Sequence, residues 1–201
     1  MMSMSELVTG SSLKEFFKSI LGEVIRRQRV VIAEMTEFYL VNLLSEFAAS
    51  DKLFSQEQEG RKDHEPLAVM YHRALQQDRE ERIRTLRRLG DVSLYKAGFF
   101  AGALQSSVVG PDYYIQMGGT AYGQVADLSP GAGFADVYRE LCSKFRALVD
   151  VLEEISARGM VQGGPTGTLK VYETWVRTGS NKLERVLVDA GMLTPKGNLP
   201  N

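Results

Sequence analysis

The chain is poor in chemically distinctive residues: one cysteine, two histidines, one tryptophan and six prolines among 201. The single cysteine, Cys142, rules out an internal disulfide and a cysteine metal cluster, and makes a reducing cytoplasm the expected location. The two histidines, His64 and His72, are separated by Pro66 and form no His-x-x-x-His or Glu-x-x-His pair. Zinc and di-iron carboxylate sites therefore lack their usual ligands, and no metal or cofactor is expected. The Gly-x-Ser-x-Gly, Walker A and Gly-x-Gly-x-x-Gly patterns are missing, so no nucleophile elbow or phosphate loop can be read. No apolar run approaches the ~18 residues of a spanning helix, and the N-terminus shows no basic region followed by an apolar stretch, as a secretion signal would. Neither sign of charge dominates. With 24 Lys and Arg against 25 Asp and Glu, the net charge is −1, and there is no global pull toward nucleic acid or an anionic membrane. No alternating apolar–polar run is long enough for a strand.

What remains is helical period almost throughout, in a chain whose 44% apolar content can build a real core. The expected fold is all-α: an irregular multi-helix bundle with a central low-charge helical hairpin and a C-terminal helix-turn-helix appendage. The main bundle is read as 1–158, with 1–11 disordered and a charged loop at 51–65. A glycine-rich linker is read at 159–168, and a helix pair packing on the bundle at 169–195. Ser12 and Glu15 resemble a capping box opening the first helix, and Arg26, Arg27 and Arg29 sit at its C-terminal end, where cations suit the dipole. The second helix, about Val30 to Phe47, is apolar on more than one side and is expected to be deeply buried. Pro66 opens a third helix, which either runs on through a solvated middle or breaks near Gln77–Asp78. Phe134, Tyr138, Leu141, Phe145, Leu148, Leu152 and Ile155 alternate steps of four and three, predicting one helix with a heptad seam that ends at Arg158–Gly159. Gly191 is placed to stop the last helix. Trp175 and Tyr172 are expected to anchor the helix pair on the bundle.

The low-charge segment is the centre of this reading. Thirty residues from Ala97 to Ala126 carry one charge, Asp112. Gly110-Pro111-Asp112 is a turn that splits the segment into two short helices. Such a segment is core, pocket or interface. Its glycines imply close approach of another helix or of a ligand. Tyr113, Tyr114, Gln116 and Tyr122 could line a small-molecule pocket, with Asp91 or His72 as the ionisable group. A packed hairpin whose tyrosine hydroxyls bond within it is the favoured reading, since a buried Tyr normally finds a partner without a ligand. Asp91, in an apolar run, is expected to be buried and paired with a nearby arginine.

Arg73, Arg79, Arg82, Arg84, Arg87 and Arg88 could form a phosphate-gripping stripe, but mixed charge at helical spacing favours a solvated face. The helix pair carries Lys182 and Arg185 against Glu184 and Asp189, which is not a basic reading head for DNA. The sequence thus weighs toward a non-catalytic cytoplasmic binding or regulatory module that self-associates, as a dimer, through apolar helix faces. A small-molecule pocket or enzyme is the alternative, and nucleic-acid binding ranks last.

Overall fold

The computed structural model describes residues 4–57, 65–104, 109–129 and 131–194. They form an all-α bundle with no strand among them. The helices are α1 (Met4–Gln28), α2 (Glu34–Glu57), α3 (Leu67–Gln76), α4 (Arg79–Phe99), α5 (Ala101–Leu104), α6 (Pro111–Leu128), α7 (Ala132–Ser143), α8 (Phe145–Gln162), α9 (Pro165–Thr178) and α10 (Asn181–Asp189). Helix α4 is the hub, packing against α6, α8 and α3, while α6 also packs on α7 and α1 on α2. The core follows from this arrangement. Leu21, Leu40, Leu44, Leu86, Leu89, Leu94, Leu141, Leu148 and Leu152 are fully withdrawn from water and contributed by five helices and the helical periods within them.

Local chemistry explains several boundaries. The third and fourth helices break at Gln77–Asp78, where the Asp78 side chain accepts from the Glu81 N–H at 2.9 Å and caps α4. Arg82 then closes α3 from across the break, donating to the carbonyls of Ala74 (3.0 Å) and Leu75 (2.6 Å). Pro111 occupies the first turn of α6 after Gly110. Gly191 ends α10 with a φ of 73° and passes the chain on so that the Met192 N–H reaches the Leu187 carbonyl at 2.8 Å.

Other expectations need correction. The first helix starts at Met4, within the stretch read as disordered, so Ser12 and Glu15 lie inside it rather than capping it. Helix α2 continues to Glu57, into the segment read as a loop; His64 lies outside the described residues. The heptad helix is two helices. At Lys144 the backbone turns to φ −106° and ψ 12°. The break orients two faces at once: Tyr138 toward Tyr39, and Phe145 over Gly118. The seam is buried in this core, except for Phe134, which is 71% exposed. The expected linker narrows to Gly163–Gly164, because α8 runs on to Gln162 and α9 starts at Pro165. Docking of α9 and α10 uses Val171, Leu183, Val186 and Leu187 around Ala157, with Trp175 half-buried at their margin and Tyr172 exposed. Finally, α2 is less buried than its apolar pattern implies. Met35 and Phe38 are 61% and 65% exposed.

Candidate functional site

The low-charge segment is not a hairpin of its own two helices. Its first part is the end of α4 followed by the single turn of α5, and its second part is α6. These pack as core. Ala97, Ala121, Tyr122, Val125 and Ala126 are buried. Its glycines bring helices together: a Cβ on Gly118 would lie 2.3 Å from Phe145 Cζ, and one on Gly98 would lie 2.4 Å from Leu152 Cβ.

A polar cluster sits where four helices meet. Asp91 projects from α4, and its Oδ1 accepts from the Tyr122 hydroxyl of α6 at 2.8 Å and the Tyr39 hydroxyl of α2 at 2.5 Å. Tyr138 of α7 packs its ring against both Tyr39 and Tyr122. Arg87, one turn before Asp91, lies beside Tyr138 and lends its charge to the carboxylate. Withdrawal from water raises the Asp91 carboxyl above the usual carboxylate range, against the opposing pull of the two phenols and Arg87. Burial, followed by the Asp91 charge, pushes the Tyr39 and Tyr122 phenols up, so they stay protonated and donate at neutral pH. Gly90 makes room for this cluster, since a Cβ there would fall 2.5 Å from Tyr122 Cε1.

Of the six residues singled out from sequence, the structure brings together only Asp91 and Tyr122. Tyr113 and Tyr114 are half-buried at the start of α6, their rings edge to face at 5.6 Å. Gln116 is exposed. His72 is exposed on α3 and meets Gln76 at 3.0 Å. Asp91 pairs chiefly with tyrosines rather than with arginine. Tyr39 and Tyr138 were not read as neighbours of Asp91, because a partner 52 residues away, as Tyr39 is, leaves no local spacing to read. The geometry ties α2, α4, α6 and α7 together, with both phenols spent on one carboxylate oxygen. That is the chemistry of a structural lock.

Two clefts among the described residues lie elsewhere. One, of about 300 Å³, runs between α4–α5, α8 and α9; Phe99, Phe100, Met160 and Val171 form its apolar wall and Lys170, Glu153, Glu173 and Arg177 its rim. The other lies at the junction of α1 and α10. Among the described residues, no group of three His, Cys, Asp or Glu could hold a metal ion. No described helix is long and apolar enough to cross a membrane.

The arginine stripe is largely engaged in the fold. Arg79 donates to the Leu128 carbonyl at 2.8 Å. Arg82 caps α3. Arg73 pairs with Glu65 at 2.8 Å. Arg88 lies over the Phe47 ring at 5.0 Å. No protein family, no curated protein and no solved structure matches the chain.

Proposed function

We propose that this protein is a non-catalytic helical binding module that pairs with a second copy of itself through the edge formed by α2 and α7. One observation carries the reading: Met35 and Phe38 on α2 and Phe134 on α7 are 61%, 65% and 71% exposed. Helix α2 packs on α7 through Tyr39 and Tyr138; Phe38 precedes Tyr39 in the chain, and Phe134 lies one turn before Tyr138. Fully burying a side chain of this size is worth about 1.5–3 kcal/mol, so three of them on each copy offer a substantial drive to associate. Glu34 precedes Met35 and is exposed, while Arg139 is paired with Asp136 of its own helix at 2.7 Å. A two-fold arrangement sets α2 of each copy against α7 of the other. The lone thiol, Cys142, suits a reducing cytoplasmic setting. The non-catalytic part of the reading rests on the polar cluster, whose donors are spent within the fold.

Native mass spectrometry and sedimentation velocity test the pairing. The expected species has twice the 22.4 kDa chain mass. The Met35→Ser/Phe38→Ser variant is expected to sediment as a monomer with an unchanged helical spectrum. A wild-type chain that stays monomeric at the highest attainable concentration would overturn the reading.

A second reading is supported by the cleft between α4–α5, α8 and α9. Its apolar wall and charged rim suit a small amphipathic ligand. Such a ligand would be retained as excess mass in the same native spectrum.

A further inference from the structure

The C-terminal end of α1 and the N-terminal end of α10 meet at the second cleft. Arg27, Gln28, Arg29, Asn181, Lys182 and Arg185 line it. That is a wall of cations and amides without a carboxylate, assembled from opposite ends of the chain. Its volume is about 510 Å³.

Two of the cations are held from behind. Arg27 is bound by the fully buried Glu154 of α8 and by Asp189 at 2.6 Å. Gln28 donates to the same Glu154 at 2.8 Å. Lys182 is bound by Asp150 and by Glu153, the latter at 3.2 Å. These acids fix the walls of the cleft. The other two cations, Arg29 and Arg185, are exposed and have no ionic partner among the described residues.

Arg29 also stands in an unfavourable backbone position. It ends α1 with a φ of 57°, unlike any other described non-glycine residue. The Val30 N–H then reaches back to the Ile25 carbonyl at 3.0 Å. Glycine is the usual occupant of this position, because a Cβ is disfavoured there. Arg26 and Arg27 already supply positive charge to the last turn of α1, so the helix dipole does not require a third arginine. Across the cleft, α10 is preceded by Ser180, whose side chain makes no capping bond. The first-turn N–H groups of Asn181, Lys182 and Leu183 therefore receive no bond from the Ser180 side chain at the positive end of the helix, where Glu184 also stands in the first turn.

We propose that this cleft binds a small phosphorylated molecule. The phosphoryl group is held by the guanidinium groups of Arg29 and Arg185 and by the first-turn N–H groups of α10. Planar guanidinium forks match phosphate oxygens two at a time, and a doubly charged tetrahedral anion uses both arginines where a single carboxylate would not. The space exceeds that of an inorganic ion and lies within the range of small-metabolite pockets. Nucleic acid is disfavoured, because most of the other arginine cluster is engaged within the fold.

The test is a two-dimensional amide NMR titration with inorganic phosphate, pyrophosphate and glucose 6-phosphate, with sodium chloride holding ionic strength constant. Saturable shifts are expected at Arg29, Asn181, Lys182 and Leu183, with glucose 6-phosphate binding more tightly than inorganic phosphate. The Arg29→Ala/Arg185→Ala variant removes two exposed side chains and is expected to weaken binding at least tenfold while leaving the helical spectrum unchanged. Arg84→Ala, an exposed cation on α4, is expected to bind as wild type. Equal shifts from sodium chloride alone, or undiminished binding by the double variant, would overturn the site. Equal affinity for inorganic phosphate and the ester would overturn the phosphorylated-molecule assignment.

Discussion

Neighbouring glycines on α6 show how single atoms decide stability in this fold. A methyl group on Gly118 would meet Phe145 Cζ at 2.3 Å and Ser93 Cβ at 2.7 Å, whereas one on Gly119 would have only Phe145 Cβ at 4.0 Å. Replacing either glycine by alanine gains about 1 kcal/mol of helix propensity. Overpacking at Gly118 costs about 1–3 kcal/mol and outweighs that gain. Urea denaturation is therefore expected to show Gly118→Ala destabilised and Gly119→Ala stabilised. Asp91 gives a prediction in pH. Its folded-state pKa lies above the unfolded value because burial disfavours the anion. Between the two values the folded protein holds a proton that the unfolded chain has released. Its contribution to stability thus falls as pH rises through that interval and returns on acidification. Asp91→Asn keeps an acceptor for Tyr39 and Tyr122 but removes the titration. In denaturation series from about pH 7 down to about pH 4, the stability of wild type minus that of the variant should grow as pH falls. Parallel profiles would show that Asp91 does not titrate differently on folding.

At the scale of elements, the break between α7 and α8 and the docking of the last two helices are tertiary outcomes. No proline or glycine marks Lys144. Its ammonium bonds to Glu140 at 2.7 Å and to the Val31 carbonyl, fastening the break to the turn before α2. Helices α9 and α10 rest on a small second core around Ala157, separate from the main cluster. Leu187 is fully buried there. Leu187→Ala is expected to cost about 2–5 kcal/mol of local stability, loosening α9 and α10 before the rest. Hydrogen exchange should then show lost protection in Pro165–Asp189 with the amides of α4 and α6 unchanged. A uniform loss across both regions would mean that the two cores open as one unit.

For the whole molecule, the exposed Met35, Phe38 and Phe134 matter more than the average composition. The chain carries more apolar helix surface than ten helices of this arrangement cover. If the surplus is closed by a second copy, folding and pairing are linked. The melting temperature should then rise with protein concentration, and Met35→Ser/Phe38→Ser should abolish that dependence. The same scale explains why the basic residues do not form one field. Arg79 and Arg82 cap the ends of the neighbouring helices α6 and α3. Arg27 and Lys182 are neutralised from behind, leaving Arg29 and Arg185 as the local surplus.

The all-helical class, the start at Pro111 and the stop at Gly191 were legible in the sequence because each is set by neighbours within a few residues, whereas at Gln77–Asp78 the sequence left a break and a continuous helix both open. Period, caps and helix breakers act over that range. The fate of the low-charge segment was not. Whether it became core, pocket or interface depended on what α4 and α8 placed against Gly118 and Gly98. The partners of Asp91 were likewise invisible, because Tyr39 and Tyr122 lie 52 and 31 residues away. The cleft of Arg29 and Arg185 joins chain segments still farther apart. Tertiary packing alone brings such groups within hydrogen-bonding distance, and it alone left Met35 and Phe38 facing water.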